Sequence, residues 1–195
     1  LMEIQMQLQL ANRRTDAPDS RADASVVDVL TGLYNREYME VRLQEEMMRA
    51  SREKSEVAYL SVRIYGLEDF AEQFGTLHRD ELTRNLGIAI KNNVRRCDIV
   101  GRVSDWDFAL ILPHTGNQAD VVARRLSGML NDFEKEHLKE YKGSGYSLSI
   151  GFSVYPSDAC NAKDIMEIAN NSSFHDDMRS LSQVDELQWE EAAVA

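Results

Sequence analysis

Arg95 and Asp98 lie three residues apart in the stretch Arg95-Arg96-Cys97-Asp98, and both side chains are suited to molecular recognition. Arginine presents a planar fork of N–H donors that pairs with phosphate or with the O6 and N7 acceptors of guanine. Aspartate can accept hydrogen bonds from the N1 and N2 donors of the same base. An arginine near a helix end can equally complement the helix dipole or form a salt bridge, so two interpretations of the pair stay open.

The charge of the chain limits which ligands it can attract. Its 195 residues carry a formal net charge of -11, which argues against a general nucleic-acid or anionic-membrane surface. An anionic ligand therefore needs a local basic patch. We expect this patch to combine Arg95 with the neighbouring cations Arg96, Arg102, Arg124 and Arg125.

The elements that must position these residues follow from hydrophobic periodicity. Buried strands are predicted at residues 57–64, 98–103, 106–112 and 146–156, and helices near 67–74, 80–94, 118–137 and 162–178. A further helical pattern runs through Met39, Leu43 and Met47 before the first strand. The order β-α-α-β-β-α-β-α predicts an α/β (α+β) fold of the ferredoxin and nucleotide-cyclase type, with a mostly antiparallel sheet flanked by helices.

The ends of the chain read differently from this domain, which we place at residues 25–184. Residues 1–11 form one apolar helical stripe, either the end of a coiled coil or a lone short helix. Residues 12–24 read as a polar linker and residues 185–195 as an acidic tail. No apolar run reaches membrane-spanning length, and the two separated cysteines favour reduced thiols, so we expect a cytoplasmic protein.

Four motifs in order resemble those of GGDEF domains, the diguanylate cyclases of bacterial signalling. They are the opening Asp28-Val29-Leu30-Thr31-Gly32-Leu33-Tyr34-Asn35-Arg36, Phe74-Gly75 with Asp80, the hairpin ending Phe108-Ala109-Leu110-Ile111-Leu112-Pro113, and Ser149-Ile150-Gly151 followed by Tyr155-Pro156. At the hairpin turn, where the family carries its Gly-Gly-Asp/Glu-Glu-Phe signature, this chain reads Ser104-Asp105-Trp106-Asp107-Phe108. The resemblance implies the nucleotide-cyclase fold, while the altered signature makes activity a separate question.

The resemblance implies that two carboxylates should hold the divalent metal of an active cyclase. Their positions correspond here to Arg63, a fixed cation, and Trp106, which offers no oxygen ligand. A +1 and a +2 charge about 4 Å apart repel by roughly 8 kcal/mol at an effective dielectric constant near 20. We therefore expect no Mg²⁺ and no catalytic residue.

Other substrate positions of the family are altered as well. Ala71 replaces the guanine-contacting Asn, and Asp177 replaces a phosphate-contacting Lys, whereas Asp80 retains the family's guanine-contacting Asp unless it is a helix N-cap. Ser104 and Asp105 replace the two glycines that let the backbone approach substrate. Asp105 and Asp107 invite the idea of a displaced metal site, but acids at a hairpin tip usually form turns.

The Arg-x-x-Asp pattern corresponds to the site at which GGDEF domains bind the product cyclic di-GMP away from catalysis. The resemblance therefore implies that Arg95 and Asp98 bind cyclic di-GMP as a regulatory ligand, and our hypothesis is an inactive GGDEF domain that acts as its receptor. The alternative is an interaction module that uses the surface around Trp106; residual cyclase activity ranks last. Expected partners are a preceding sensory domain or another protein, and a second copy of the chain; we expect neither nucleic acid nor membrane.

Overall fold

The computed structural model describes residues 26–116, 118–139, 141 and 145–172. The predicted helix at 1–11, linker at 12–24 and tail at 185–195 lie outside these residues. The described part forms α1 (Arg36–Glu53), β1 (Val57–Tyr65), α2 (Leu67–Phe74), α3 (Thr76–Asn92), β2 (Ile99–Arg102), β3 (Asp107–Pro113), α4 (Ala119–His137), β4 (Ser147–Tyr155) and α5 (Ala162–Asn171). This order and the mixed α/β class confirm the predicted fold.

Within the described residues the strands form a four-stranded sheet in the order β2-β3-β1-β4, and every neighbouring pair is antiparallel. β1 therefore lies inside the sheet, bonded to β3 on one side and to β4 on the other. The register places Arg63 opposite Asp107 where β1 and β3 reach the hairpin. This pairing brings together two residues that are 44 positions apart in the sequence.

Both faces of the sheet are covered by helices, which explains why β1 is buried almost from end to end. Ala58, Leu60, Val62 and Ile64 face the core formed with α2, α3 and α4. Val57 and Tyr59 face the second core, which contains residues of α1 and α5. Because side chains alternate along a strand, Arg63 lies on the second face, as Tyr59 does.

The segment before α1 is attached to the edge strand β2. Asn35 caps α1 by accepting a hydrogen bond from the backbone N–H of Tyr38, and Tyr34 forms a β-bridge to Gly101. A Cβ on Gly101 would collide with the Met39 side chain and the Tyr34 carbonyl oxygen. A glycine at this position thus lets α1 and its leading segment approach β2 closely.

The start of one helix differs from the sequence-based prediction. The helix expected from residue 80 begins earlier, at Thr76, because Gly75, with φ of 92°, ends α2 and lets a new helix start at once. Asp80 is therefore inside α3 and is not its N-cap. None of the helices in the described part combines the length and the apolar character that crossing a bilayer requires.

Candidate functional site

An ion pair joins the ends of β1 and β3. Arg63 Nε donates to Asp107 Oδ1 at 2.7 Å, and Nη2 lies 3.4 Å from Oδ2. The hydrogen bond to Asp107 raises the pKa of Arg63 above its ordinary value, so the guanidinium stays charged at all practical pH values. Arg63, which the sequence led us to expect would repel a divalent metal, is therefore a permanent cation paired with Asp107.

The hairpin tip, residues 103–106, is fixed by hydrogen bonds to the same carboxylate and to β1. Ser104 Oγ donates to Asp107 Oδ2 and accepts from the backbone N–H of Trp106. The Trp106 carbonyl oxygen accepts from the Ile64 N–H at 2.7 Å. Both backbone polar groups of Trp106 are therefore hydrogen-bonded, and the residue remains 36% exposed.

A cleft of about 460 Å³ opens next to the ion pair. Arg63, Asp107 and Ser104 form one end, and α1 and α5 provide the walls, on which Lys163 and Glu167 face the cleft. Tyr59 lines the cleft as well; its burial, and next the nearby charge of Asp107, raise the pKa of its phenol, so the hydroxyl stays protonated. The cleft therefore holds charges of both signs.

The described residues do not fit a divalent metal at the hairpin tip. Within residues 26–116, 118–139, 141 and 145–172, no three His, Cys, Asp or Glu side chains converge closely enough to hold an ion. Asp107 is bound to Arg63, and Asp105 binds Arg102. The displaced metal site considered from the sequence therefore has no donor set.

The two residues that the resemblance assigns to guanine contacts lie on consecutive helices. Ala71 belongs to α2 and Asp80 to α3, so a methyl group and a carboxylate occupy these positions. The Asp80 carboxylate accepts two hydrogen bonds from the guanidinium of Arg79, at 2.9 and 2.7 Å. Asp177 lies outside the described residues.

The arginine turn, residues 95–98, connects α3 to β2 and is closed by Asp98. Asp98 Oδ2 accepts from the Arg95 backbone N–H at 2.7 Å, and the Asp98 N–H donates to the Arg95 carbonyl at 3.1 Å. Asp98 is only 5% exposed, whereas Arg95 is exposed. From the sequence, both side chains were expected to face a ligand. The Asp98 side chain instead points inward, where it holds the turn that exposes Arg95.

Of the other predicted cations, the structure brings Arg125 to the arginine turn. Arg125 Nη2 donates to the Asn93 carbonyl oxygen at the end of α3, two residues before Arg95. Arg96 is exposed within the turn itself. Arg124, one position along α4, pairs instead with Asp120 on its own helix.

Arg102 has a different role from the one expected. Its side chain is 10% exposed, and its guanidinium binds the Asp28 carboxylate at 3.2 Å and Asp105 at 3.1 Å. Burial disfavours ionisation of Asp28, but hydrogen bonds from Thr31 and the charge of Arg102 outweigh it and lower the pKa of this carboxyl. Arg102 thus connects the segment before α1 to the hairpin tip, and its charge is not available to the arginine turn.

Sequence reasoning missed Asp107 as the partner of Arg63 and Asp28 as the partner of Arg102. Both pairs link residues that are far apart in the chain, 44 and 74 positions respectively. The only available signal was the complementary charge, because the strand register that joins the first pair cannot be read from one sequence.

The family described as Diguanylate cyclase, GGDEF domain, matches residues 25–174. Among curated relatives, an uncharacterized membrane protein of Bacillus subtilis, YdaK, is 27% identical over 150 residues, which are 74% of this chain and 50% of that protein. The diguanylate cyclase TpbB of Pseudomonas aeruginosa is 28% identical over 149 residues, 75% of this chain and 34% of that protein. The chain therefore spans half or less of the length of these relatives.

Solved structures agree on the fold. The GGDEF domain of DgcB from Caulobacter crescentus, determined in complex with c-di-GMP, superposes with a TM-score of 0.64 at 22% identity. The match covers 74% of this chain and 85% of that one.

Proposed function

The chain belongs to the GGDEF-domain family of diguanylate cyclases, and we propose that it is a catalytically inactive member that binds cyclic di-GMP through the arginine turn. The observation that carries the proposal is a contrast between two arginines, one paired with a carboxylate and the other exposed to solvent. At the position of the family's metal, Arg63 is neutralised by Asp107. At the arginine turn, an exposed arginine is held outward by a buried aspartate.

Inactivity is supported by the chemistry of the altered positions. Joining two GTP molecules requires carboxylates that hold a divalent metal against the triphosphate. Here Arg63 stands in the place of one of these carboxylates and Trp106 in the place of the other. A metal at this site would have to displace Asp107 from Arg63 and approach a guanidinium cation, which disfavours metal-dependent catalysis by this chain.

Ligand binding is supported by the state of the Arg95 side chain. Among the described residues, no carboxylate lies within salt-bridge distance of its guanidinium, in contrast to Arg63, Arg79, Arg102 and Arg124. An exposed fork of this kind can pair with guanine or phosphate without breaking an existing ion pair. Each charge-assisted contact contributes roughly 1.5–3 kcal/mol, so two or three contacts together with stacking reach micromolar affinity.

Asp98 then acts through the turn and not as a direct acceptor from the ligand. Its hydrogen bond to the Arg95 N–H fixes the backbone from which the guanidinium projects. Arg125 lies next to this turn and supplies a second cation from α4. Cyclic di-GMP is the ligand of choice because the arginine turn corresponds to the family's product-binding motif, and because the related DgcB domain was solved with that molecule.

A second candidate function, a protein-interaction module, is favoured by the fixed geometry of Trp106. Its backbone N–H and carbonyl are both hydrogen-bonded, so the backbone that carries the exposed indole needs no further ordering when the indole packs against a partner. The two functions are compatible, since the hairpin tip and the arginine turn lie at opposite ends of β2. As part of the same proposal, ligand binding is signalled to a preceding domain, to another protein or to a second copy of the chain.

Isothermal titration calorimetry of cyclic di-GMP into the wild-type chain and Arg95→Ala tests the proposal. We expect binding in the micromolar range by the wild type and at least about a tenfold loss in Arg95→Ala, the equivalent of one lost charge-assisted contact. Arg124→Ala is the matched control, because this exposed arginine is already paired with Asp120 and should leave affinity unchanged. A wild type that does not bind, or a loss of equal size in both variants, would refute the receptor proposal.

A further inference from the structure

The cleft beside the Arg63–Asp107 ion pair reaches well beyond that pair along β1. Tyr59 lies four residues before Arg63, about 13 Å along the strand, and both residues line the cleft. The cleft volume of about 460 Å³ is in the range of sites that bind small organic molecules. The part of the cleft around Tyr59 has no role in the proposed function.

The hydroxyl of Tyr59 is a buried polar group that lacks a protein partner. Tyr59 is only 3% exposed, and among the described residues none forms a hydrogen bond with its hydroxyl. Buried tyrosine hydroxyls normally have such a partner, because leaving one unsatisfied costs free energy. Since the Tyr59 side chain lines the cleft, the missing partner must come from the cleft.

One turn of α5 lies beside Tyr59. Tyr59 is paired across the sheet with Ser153 of β4, whose hydroxyl donates to the Ile165 carbonyl oxygen at 2.6 Å. Lys163 and Glu167 lie two residues before and after Ile165 on this helix, and both line the cleft. We call the part of the cleft formed by Tyr59, Lys163 and Glu167 the inner cleft.

Two charges of the inner cleft are not matched within the described part of the chain. Neither Lys163 nor Glu167, both exposed, forms a salt bridge there. The two residues lie one helical turn apart, but lysine before glutamate is the less favourable order for such a pair. Lys163 also lies in the first turn of α5, where the helix dipole disfavours a cation. The helix itself therefore does not stabilise the charge of Lys163, which is available to a ligand.

The remaining charges that line the cleft are matched within the protein. Arg36 pairs with Glu40, and Arg63 pairs with Asp107. Among the described lining residues this leaves one ammonium group and one carboxylate. The carboxylate of Glu167 would repel a polyphosphate, whereas a ligand that carries one charge of each sign matches both groups.

We propose that the inner cleft binds a free α-amino acid in its zwitterionic form. The ligand carboxylate pairs with Lys163, and the ligand ammonium group pairs with Glu167. The Tyr59 hydroxyl donates to the same carboxylate and so gains the partner that the described residues do not supply. The ligand side chain extends along the apolar surface of Met39 and Met166, which also line the cleft.

Isothermal titration calorimetry of the full chain with each standard amino acid tests the proposal. The amino acid that binds most tightly is then compared with its own decarboxylated amine and its own deaminated acid, each of which lacks one of the two charges. We expect saturable binding of at least one amino acid and at least about a tenfold loss of affinity for each analogue, the equivalent of one lost charge-assisted contact. No binding by any amino acid, or equal binding of the amine or the acid, would overturn the proposal.

Three variants test whether the amino acid binds in the inner cleft. Tyr59→Phe removes only a hydroxyl that has no partner among the described residues, so the fold should be retained while affinity falls severalfold. Lys163→Gln and Glu167→Gln should each weaken binding at least about tenfold. Lys91→Gln, at an exposed lysine in the last turn of α3, is the control and should leave affinity unchanged. Unchanged affinity in any of the three site variants, or an equal loss in the control, would contradict the proposal. Arg95→Ala should bind the amino acid as the wild type does, so this proposal and the proposed function fail independently.

Discussion

The ion pair between Arg63 and Asp107 makes a quantitative prediction about stability. Arg63 Nε lies 2.7 Å from Asp107 Oδ1. Two opposite unit charges with centres about 4 Å apart attract each other by about 4 kcal/mol at an effective dielectric constant of 20. The side chains are 34% and 15% exposed, so desolvation and loss of side-chain entropy cancel a large part of this attraction. Because two hydrogen bonds reinforce the pair, we expect a net coupling free energy of about 1–2 kcal/mol.

A double-mutant cycle in urea measures this coupling. Arg63→Met keeps the apolar stem without charge, and Asp107→Asn keeps an oxygen that can accept from Ser104. The free energies of unfolding of the wild type, both single variants and the double variant give the coupling directly. The exposed pair Arg36–Glu40 on α1 is the control, with an expected coupling of about 0.3–0.5 kcal/mol. A coupling for Arg63–Asp107 no larger than that of the control would refute the view that this pair takes over the structural place of a metal.

Three further outcomes are expected. Asp98→Ala should lower the free energy of unfolding by about 1–3 kcal/mol and weaken the calorimetric affinity for cyclic di-GMP. Asp98→Asn should preserve both quantities, since its amide oxygen can still accept from the Arg95 N–H. A loss of affinity in Asp98→Asn with normal stability would instead make the carboxylate a direct ligand contact. Asp28→Asn should lower the free energy of unfolding by about 1–2 kcal/mol at pH 7. Because the folded-state pKa of Asp28 lies below its unfolded value near 3.8, this difference from the wild type should persist above the unfolded pKa and disappear as the pH falls through the folded pKa. Urea titrations at pH 7 and pH 3 test whether the difference is smaller at the lower pH. Gly101→Ala should destabilise the domain by about 1–3 kcal/mol in thermal unfolding, because its Cβ would meet Met39 and Tyr34, and an unchanged melting temperature would contradict the close packing of α1 on β2.

The fold was largely predictable because its signals are local and strong. A few neighbouring residues are enough to predict each element. This holds for the β-branched run of β1, the amphipathic pattern of α4 and the two arms of the hairpin. The errors come from tertiary context. The early start of α3 depends on the positive φ of Gly75, which a periodicity argument centred on residue 80 does not contain.

The candidate site was predictable in its composition but not in its pairing. The resemblance led us to expect Arg63 at a metal position of the family, yet only the β1–β3 register shows that Asp107 pairs with it. Arg102 illustrates the opposite error, since a basic residue close in sequence to Arg95 binds Asp28 and Asp105 at the other end of β2. Asp98 lies in the same turn as Arg95, as the Arg-x-x-Asp pattern predicts. Its inward orientation follows from the geometry of the turn, which the three-residue spacing alone does not specify.

The central claim, that an internal cation has replaced the catalytic metal, is tested most directly by measuring product formation from GTP. The wild-type chain is incubated with GTP and Mg²⁺, with an active diguanylate cyclase as the positive control, and cyclic di-GMP is quantified by chromatography. The account predicts no product above a protein-free blank. Cyclic di-GMP that increases in proportion to the amount of this protein and requires Mg²⁺ would contradict it.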